Sequence, residues 1–187
     1  MGDSLTQGYG LPPEEGFVPQ LQAWLTERGH DVELINAGVS GDTTAGGLSR
    51  AEWTLTPDVD AMILELGGND LLRGLPPEVS RANLAGILDI AKAKGVDVLL
   101  VGLPAPTNYG PDFKAAFDGM FPELAESYGT LLRSDFLEAL SSLPDRAAAR
   151  RDYIQPDGIH PNAAGVALIV ENIGPPVEEL IARAAGS

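Results

Sequence analysis

A serine near the start of this sequence and a histidine near its end are of the types that carry out acyl transfer. Ser4 lies in the stretch MGDSLTQGYG, and a serine hydroxyl becomes a useful nucleophile only beside a base. His160 lies in PDGIHPN, three residues after Asp157. A carboxylate at this spacing can hold one imidazole nitrogen and leave the other to take a proton. Asp157 and His160 are therefore a candidate half of a triad, with Ser4 as a candidate nucleophile.

Other roles for these residues stay open at this point. Asp157 and Asn162 could be a turn residue and a helix N-cap around an exposed His160. The second histidine, His30, falls between a predicted helix and a predicted strand and is interpreted as a surface residue. The sequence has no cysteine and no metal-binding cluster of histidines and carboxylates, so we expect no metal site, disulfide or thiolate chemistry.

Acyl transfer also requires hydrogen-bond donors for the oxyanion that develops on the substrate. Gly41, in VSGDT, offers a backbone N–H with no Cβ in the way, and Asn69, in LGGND, offers a side-chain amide. Either residue could instead have only a structural role in its loop. The neighbouring carboxylates Asp3 and Asp70 are interpreted as structural.

Strand-like and helix-like segments alternate along the chain and must position these residues. Helical spacing of apolar residues predicts helices over 19–29, 42–55, 77–94 and 112–128. Apolar runs predict strands over 31–39, 58–68 and 96–103. Helical stretches flank Gly174-Pro175-Pro176, which we expect to break or kink them, because proline lacks the N–H and clashes with the preceding turn.

This alternation predicts an α/β protein with a parallel sheet covered by helices on both faces. The apolar strands fit a sheet buried on both sides. In such sheets ligands bind beyond the carboxyl ends of the strands, and the glycine-rich stretches with Gly41 and Asn69 fall at two of those ends.

Composition limits the class of protein. The 187 residues are predicted to form a single domain over 1–187, and the net charge of −15 argues against nucleic-acid and anionic-membrane partners. No apolar run approaches the roughly 20 residues of a membrane span, and the sequence shows no signal peptide. Localisation and oligomeric state stay open.

Four short blocks together resemble the signatures of the SGNH hydrolases, the GDSL-type esterases. They are GDSL at 2–5, SGDT with Gly41, GGND with Asn69, and DGIHPN with Asp157 and His160. Their order and spacing are most similar to the bacterial branch of multifunctional thioesterases, lysophospholipases and arylesterases. The resemblance runs from position 2 to about 172, nearly the whole chain.

The resemblance implies a function and a role for each residue. Ser4 would be the nucleophile, His160 the general base and Asp157 its orienting partner, with an oxyanion hole made by Ser4, Gly41 and Asn69. It implies a three-layer α/β/α, flavodoxin-like fold, no cofactor, and hydrolysis of small-molecule or lipid esters. Relatives are often periplasmic or secreted in bacteria. We expect the rate to rise with pH through roughly 6 to 7, as an imidazole base loses its proton.

One feature departs from the family. The family places a central strand directly before its GDS block, whereas here only Met1 precedes Gly2. We therefore expect the first central strand to be missing or truncated. Residues absent from this sequence, another segment of the chain, or a strand from a second copy could fill its place.

The sequence predicts the type of reaction more narrowly than it predicts the substrate. The stretch 103–121 should open onto the crevice, and Tyr109, Phe113 and Phe117 are predicted to line an acyl or aryl pocket, although the two phenylalanines could instead form the buried face of a helix. Short-to-medium acyl or aryl esters are the expected substrates, with thioesters and lysophospholipids as further candidates. The alternatives are a carbohydrate O-acetyl esterase and an inactive flavodoxin-like binding module.

Overall fold

A parallel sheet lies at the centre of the computed structural model, which describes residues 1–186. Its strands are β1 (Ala61–Glu65), β2 (Asp97–Val101) and β3 (Leu131–Arg133), in the order β1-β2-β3. In the register of the sheet Ala61 lies opposite Asp97, and Leu99 lies opposite Leu131. The carboxyl ends of the strands therefore share one edge, as the sequence predicted.

Helices cover both faces of this sheet. In chain order they are α1 (Ser4–Gln7), α2 (Phe17–Glu27), α3 (Thr44–Thr54), α4 (Gly68–Leu72), α5 (Pro77–Lys94), α6 (Pro111–Tyr128), α7 (Glu138–Ser141), α8 (Arg146–Tyr153) and α9 (Ala163–Ala184). Short 3-10 turns span Pro13–Glu15 and Thr107–Tyr109. Within residues 1–186, no helix combines the length and the apolar character needed to cross a bilayer.

The middle strand shows why the fold has three layers. Alternate side chains of a strand point to opposite faces, and in β2 both sets are buried. Val98 and Leu100 join one apolar core with helices α3, α5 and α6. Leu99 and Val101 join a second core with α2, α7 and α9. The predicted three-layer α/β/α sandwich is confirmed.

The triplet Gly174-Pro175-Pro176 was expected to break or kink the helical stretches around it, and the break does not occur. Helix α9 runs through both prolines without a break. Ile173 and Val177, on either side of the triplet, are fully buried, and Gly174 lies so close to Trp24 that a Cβ would come within 2.4 Å of its ring. Burial of this face against α2 outweighs the lost backbone hydrogen bonds.

The central position of the sheet is truncated, as expected. Gly2 forms parallel bridges with Gly38 on one side and Glu65 on the other, and the Met1 amino group donates to the Ile63 carbonyl at 2.7 Å. Residues 31–37, predicted as part of a strand, do not form one, because they have no strand partner within residues 1–186.

Candidate active site

Backbone geometry presents Ser4 at the carboxyl edge of the sheet. Ser4 is the first residue of α1, and the Asp3 carboxylate caps this helix by accepting the Leu5 N–H at 3.0 Å. Gly2 lets the chain turn out of the sheet at this point, since a Cβ there would lie 2.7 Å from the Glu65 carbonyl oxygen. The short path from the sheet into α1 therefore fixes the direction of the serine hydroxyl.

A tight loop before α9 holds the histidine. Asp157 Oδ1 accepts the backbone N–H groups of Ile159 and His160 at 2.9 and 3.1 Å. Gly158 takes a positive φ of 73°, which a residue with a Cβ rarely adopts. Asn162 caps α9 by accepting the Gly165 N–H at 3.0 Å. The two alternative roles proposed for Asp157 and Asn162 are thus present, and they serve to position His160.

The three polar side chains form a continuous hydrogen-bonded chain. The His160 Nδ1–H donates to Asp157 Oδ2 at 2.6 Å, and His160 Nε2 lies 2.8 Å from Ser4 Oγ. The Ile159 N–H, followed by the His160 imidazole, lowers the pKa of Asp157 to about 2. Asp157 is therefore ionised at neutral pH and can stabilise a positive charge on the imidazole.

The two predicted oxyanion donors belong to different parts of the chain. Asn69 lies in the first turn of α4, and its Nδ2 donates one N–H to Asp3 Oδ2 at 3.0 Å, which leaves a second N–H. Gly41 has a positive φ of 82°, and Arg73 Nη2 holds its carbonyl at 2.8 Å. Within residues 1–186, no hydrogen bond occupies the backbone N–H of Gly41 or of Ser4.

The sequence that forms this site matches a known protein family. A model of the GDSL-like lipase/acylhydrolase family matches residues 1–168. The chain belongs to this family. It is a GDSL-type ester hydrolase, as the four signature blocks predicted.

Individual relatives of this GDSL hydrolase agree with the assignment. An arylesterase of Vibrio mimicus is 37% identical over 91% of this chain and 82% of the relative. Thioesterase 1/protease 1/lysophospholipase L1 of Escherichia coli is 32% identical over 97% of this chain and 83% of the relative. A crystal structure of TesA is 38% identical, covers 96% of both chains and has a TM-score of 0.85.

A buried carboxylate that bonds helix α1 was not predicted from the sequence. Glu65, at the end of β1, is 1% exposed, and its Oε2 accepts the Thr6 hydroxyl at 2.9 Å. Burial, followed by the nearby Asp3 carboxylate, raises the pKa of Glu65 well above its usual value. Burial also raises the pKa of Asp3. The only feature of the sequence that could have indicated a buried carboxylate is that Glu65 is the single charged residue in the apolar run AMILELGG.

Replacing Glu65 by glutamine in this GDSL hydrolase should reduce the pH dependence of its stability. A carboxyl with a raised pKa in the folded state stabilises that state below its unfolded pKa, and this stabilisation is lost as pH rises toward the folded value. We therefore expect the free energy of unfolding of wild type, relative to Glu65→Gln, to fall as pH rises above the ordinary carboxyl pKa and to level off once the raised pKa of Glu65 is passed, with a slope of at most about 1.4 kcal/mol per pH unit. Urea unfolding at four pH values measures this difference.

Glu126→Gln is the matched control, because Glu126 is exposed on α6. Its stability curve should run parallel to that of wild type. Parallel curves for Glu65→Gln as well would contradict the raised pKa of Glu65.

The three predicted pocket residues of the GDSL hydrolase have different surroundings. Tyr109 is 40% exposed, its hydroxyl donates to the Leu71 carbonyl at 2.8 Å, and its ring contacts Phe113 with 4.8 Å between centroids. Phe117 is fully buried in the core, under Gly67. Tyr109 and Phe113 thus lie near helix α4, which carries Asn69, whereas Phe117 packs near Gly67, the residue before that helix.

Asp70 and His30, interpreted from the sequence as structural and surface residues, bond residues outside the proposed site. Asp70 is fully buried and accepts from the Thr44 N–H and hydroxyl and from the Ser80 hydroxyl, so it joins α3, α4 and α5. His30 pairs with Glu178 at 2.9 Å. The Tyr9 ring, which sequence reasoning did not select, packs against His160 at 4.7 Å between centroids.

Proposed function

We propose that this chain hydrolyses short-to-medium acyl and aryl esters through an acyl intermediate on Ser4. The observation that carries the proposal is the hydrogen-bonded chain from Asp157 Oδ2 through His160 to Ser4 Oγ, with contacts of 2.6 and 2.8 Å. The comparisons support ester hydrolysis, and the names of the relatives suggest aryl esters, thioesters and lysophospholipids as substrates to test.

In the first step, Ser4 Oγ attacks the ester carbonyl carbon while its proton passes to His160 Nε2. The ionised Asp157, which accepts from Nδ1, stabilises the imidazolium that results. The tetrahedral intermediate then collapses. The bond from carbon to the leaving oxygen or sulfur breaks, and His160 Nε2–H protonates that leaving atom.

In the second step, His160 takes a proton from water, and the hydroxide attacks the acyl carbon. Collapse of this second tetrahedral intermediate releases the carboxylic acid and returns the proton to Ser4 Oγ. The Ser4 and Gly41 N–H groups and the second N–H of Asn69 stabilise the oxyanion in both steps. Each of these donors is held by the backbone or by a hydrogen bond before substrate arrives, which is the preorganisation that such catalysis needs.

Replacing Asn69 by alanine should lower kcat roughly 10²- to 10³-fold with a small change in KM, because the amide acts on the oxyanion more than on the neutral carbonyl. Steady-state kinetics with p-nitrophenyl butyrate measures both constants. Asn83→Ala is the matched control, since Asn83 donates to Thr44 Oγ1 at 3.0 Å outside the proposed oxyanion hole. If the Asn69→Ala variant kept kcat within threefold of wild type, Asn69 would not be an oxyanion donor.

A substrate panel tests the proposed function directly. We expect hydrolysis of p-nitrophenyl acetate, butyrate and octanoate, with acetylated xylan a poor substrate, and labelling of Ser4 by a fluorophosphonate probe. Acyl thioesters and a lysophospholipid complete the panel. Faster turnover of acetylated xylan would favour a carbohydrate O-acetyl esterase, and the absence of both turnover and labelling would favour a binding module.

A further inference from the structure

The Tyr9 side chain packs against the imidazole of His160. The ring centroids lie 4.7 Å apart, and the ring planes are inclined by 37°, which is nearer to stacking than to a perpendicular contact. Only 16% of the His160 side chain is exposed, whereas Tyr9 is 50% exposed. Tyr9 is therefore part of the cover that separates the imidazole from solvent.

The backbone of Tyr9 is bonded to both parts of the candidate site. Its N–H donates to the Ser4 carbonyl at 3.1 Å, and its carbonyl accepts from the Gln155 side-chain amide at 2.8 Å. The same amide also donates to the Pro161 carbonyl at 2.9 Å, and the Gln155 backbone N–H donates to the His160 carbonyl at 2.8 Å. The backbone of Tyr9 is thus held between the helix that carries Ser4 and the loop that carries His160.

The residue after Tyr9 allows this close packing. Gly10 has a positive φ of 76°, and a Cβ at this position would lie 2.2 Å from Gln155 Oε1. A larger residue would displace the glutamine that holds the Tyr9 carbonyl. The local sequence therefore places the tyrosine ring before any substrate arrives.

An aromatic ring beside the imidazole stabilises its protonated form. The face of a tyrosine ring carries partial negative charge, which attracts a cation within about 6 Å of the ring centre. This attraction is stronger where water is excluded, as it is around the largely buried His160 side chain. In the proposed reaction His160 becomes positively charged whenever it takes a proton from Ser4 or from water. The Tyr9 ring therefore stabilises the charge that develops in both steps.

Three charged groups lie around His160 besides this ring. The Asp157 carboxylate accepts from Nδ1 at 2.6 Å. The Asp3 carboxylate, whose pKa is raised mainly by burial, interacts with the charge of the imidazole. Arg150 of α8 approaches the same loop, since a Cβ at Gly158 would lie 2.5 Å from its Nη2. A substitution of the tyrosine retains all three groups.

We propose that Tyr9 is a positioning residue that stabilises the positively charged imidazole of His160 through its aromatic ring. This inference rests on the proposed function, since His160 carries its charge in that reaction. The ring has two opposing effects: exclusion of water disfavours the charged imidazole, whereas the negative ring face favours it. Tyr9→Leu keeps an apolar side chain and loses the ring face, so it separates the two effects.

Proton NMR titration of the histidines tests the proposal in the full chain without substrate. The sequence has only two histidines, and His30 is an internal reference because it pairs with Glu178 outside the proposed site. The midpoint of the His160 titration should fall by about 0.3 to 0.7 pH unit in Tyr9→Leu, because the charged form loses the ring. Tyr9→Phe keeps the ring face and should stay within about 0.1 pH unit of wild type.

Two further variants are matched controls. Pentafluorophenylalanine at position 9 keeps the shape of the Tyr9→Phe side chain and reverses the charge distribution of the ring face, so the His160 midpoint should fall at least as far as in Tyr9→Leu. Tyr128→Leu removes a tyrosine whose hydroxyl bonds Asp89 outside the site, and it should leave the midpoint unchanged. Urea unfolding of each variant establishes that it folds.

Steady-state kinetics provide a second readout. Above the pH range in which the rate rises, kcat of Tyr9→Leu on p-nitrophenyl butyrate should be about two- to fivefold below wild type, with little change in KM. The difference should disappear at pH 5.5, because a lower midpoint leaves more of the imidazole neutral there. A purely structural disturbance would instead lower kcat by the same factor at every pH.

Four results would overturn the proposal. They are an unchanged or raised His160 midpoint in Tyr9→Leu, an equal fall in Tyr9→Phe, a wild-type midpoint with the pentafluorinated ring, and a loss of kcat that is the same at every pH. A raised midpoint would show that exclusion of water outweighs the ring face. Failure to hydrolyse any ester would contradict the proposed function, whereas the NMR titration needs no turnover, so the two failures are distinguishable.

Discussion

Replacing Ser4 by alanine is expected to lower kcat by about 10⁵- to 10⁶-fold while leaving the fold intact. The substitution removes the oxygen that would form the acyl intermediate, and neither Asp157 nor His160 can replace it. Ser4 Oγ is half-buried and bonds the imidazole at 2.8 Å, so its loss should change the free energy of unfolding by no more than about 1 kcal/mol. Steady-state kinetics on p-nitrophenyl butyrate and urea unfolding measure the two quantities.

Ser49→Ala is a matched control for this variant. Ser49 lies on α3, and its exposed hydroxyl donates to the Gly46 carbonyl at 2.7 Å. The control should keep wild-type kcat and fluorophosphonate labelling, whereas Ser4→Ala should lose both. Labelling of Ser4→Ala at another serine, with activity retained, would show that the reaction uses a different nucleophile.

Local and long-range parts of the site differ in how far the sequence predicts them. Asp157 and His160 are three residues apart, so one glycine turn brings them together and the pattern DGIH is sufficient. Ser4 is 156 residues from His160, and no local pattern encodes their contact. Their approach follows from the parallel sheet, which places residues beyond the carboxyl ends of its strands at one edge.

The contacts beneath and around the site were harder to predict. Glu65 bonds Thr6 of α1 because Met1 and Gly2 pair with the end of β1, and this register depends on the tertiary fold. The hydrogen bond from Asn69 to Asp3 also depends on the tertiary fold. Sequence reasoning selected Asn69 as a candidate oxyanion donor and Asp3 as a structural residue, but it could not pair them, since 66 residues separate the two.

Two errors in the predicted elements have physical causes. Local rules disfavour proline inside a helix, yet the buried face of α9 keeps the helix intact through Pro175 and Pro176. The segment 31–39, predicted as a strand, has the expected alternation at Val32 and Leu34, which pack against the core. Residues 31–37 are unpaired because a strand needs a partner on the adjoining edge, and none is present for them within residues 1–186.

Replacing Asp157 by asparagine should lower kcat by about 10³- to 10⁴-fold, although the side chain keeps its size. Asp157 Oδ1 accepts two backbone N–H groups, so the amide oxygen of the variant must occupy that position. Its NH₂ group then faces His160 Nδ1, which must become an acceptor. The ring proton moves to Nε2 and points at Ser4 Oγ, where it blocks uptake of the serine proton.

The matched control for this variant is Asp152→Asn, which removes an exposed carboxylate paired with Arg151 just before the same loop. Its kcat should stay within twofold of wild type. Because the Asp157 pKa is about 2, wild type keeps this carboxylate ionised from pH 5 to 9, and the loss in Asp157→Asn should persist across that range. If kcat of Asp157→Asn came within tenfold of the wild-type value at any pH in this interval, the tautomer mechanism would be contradicted. Protonation of Asp157 in wild type could not explain such a result, because the carboxylate stays ionised over the whole interval.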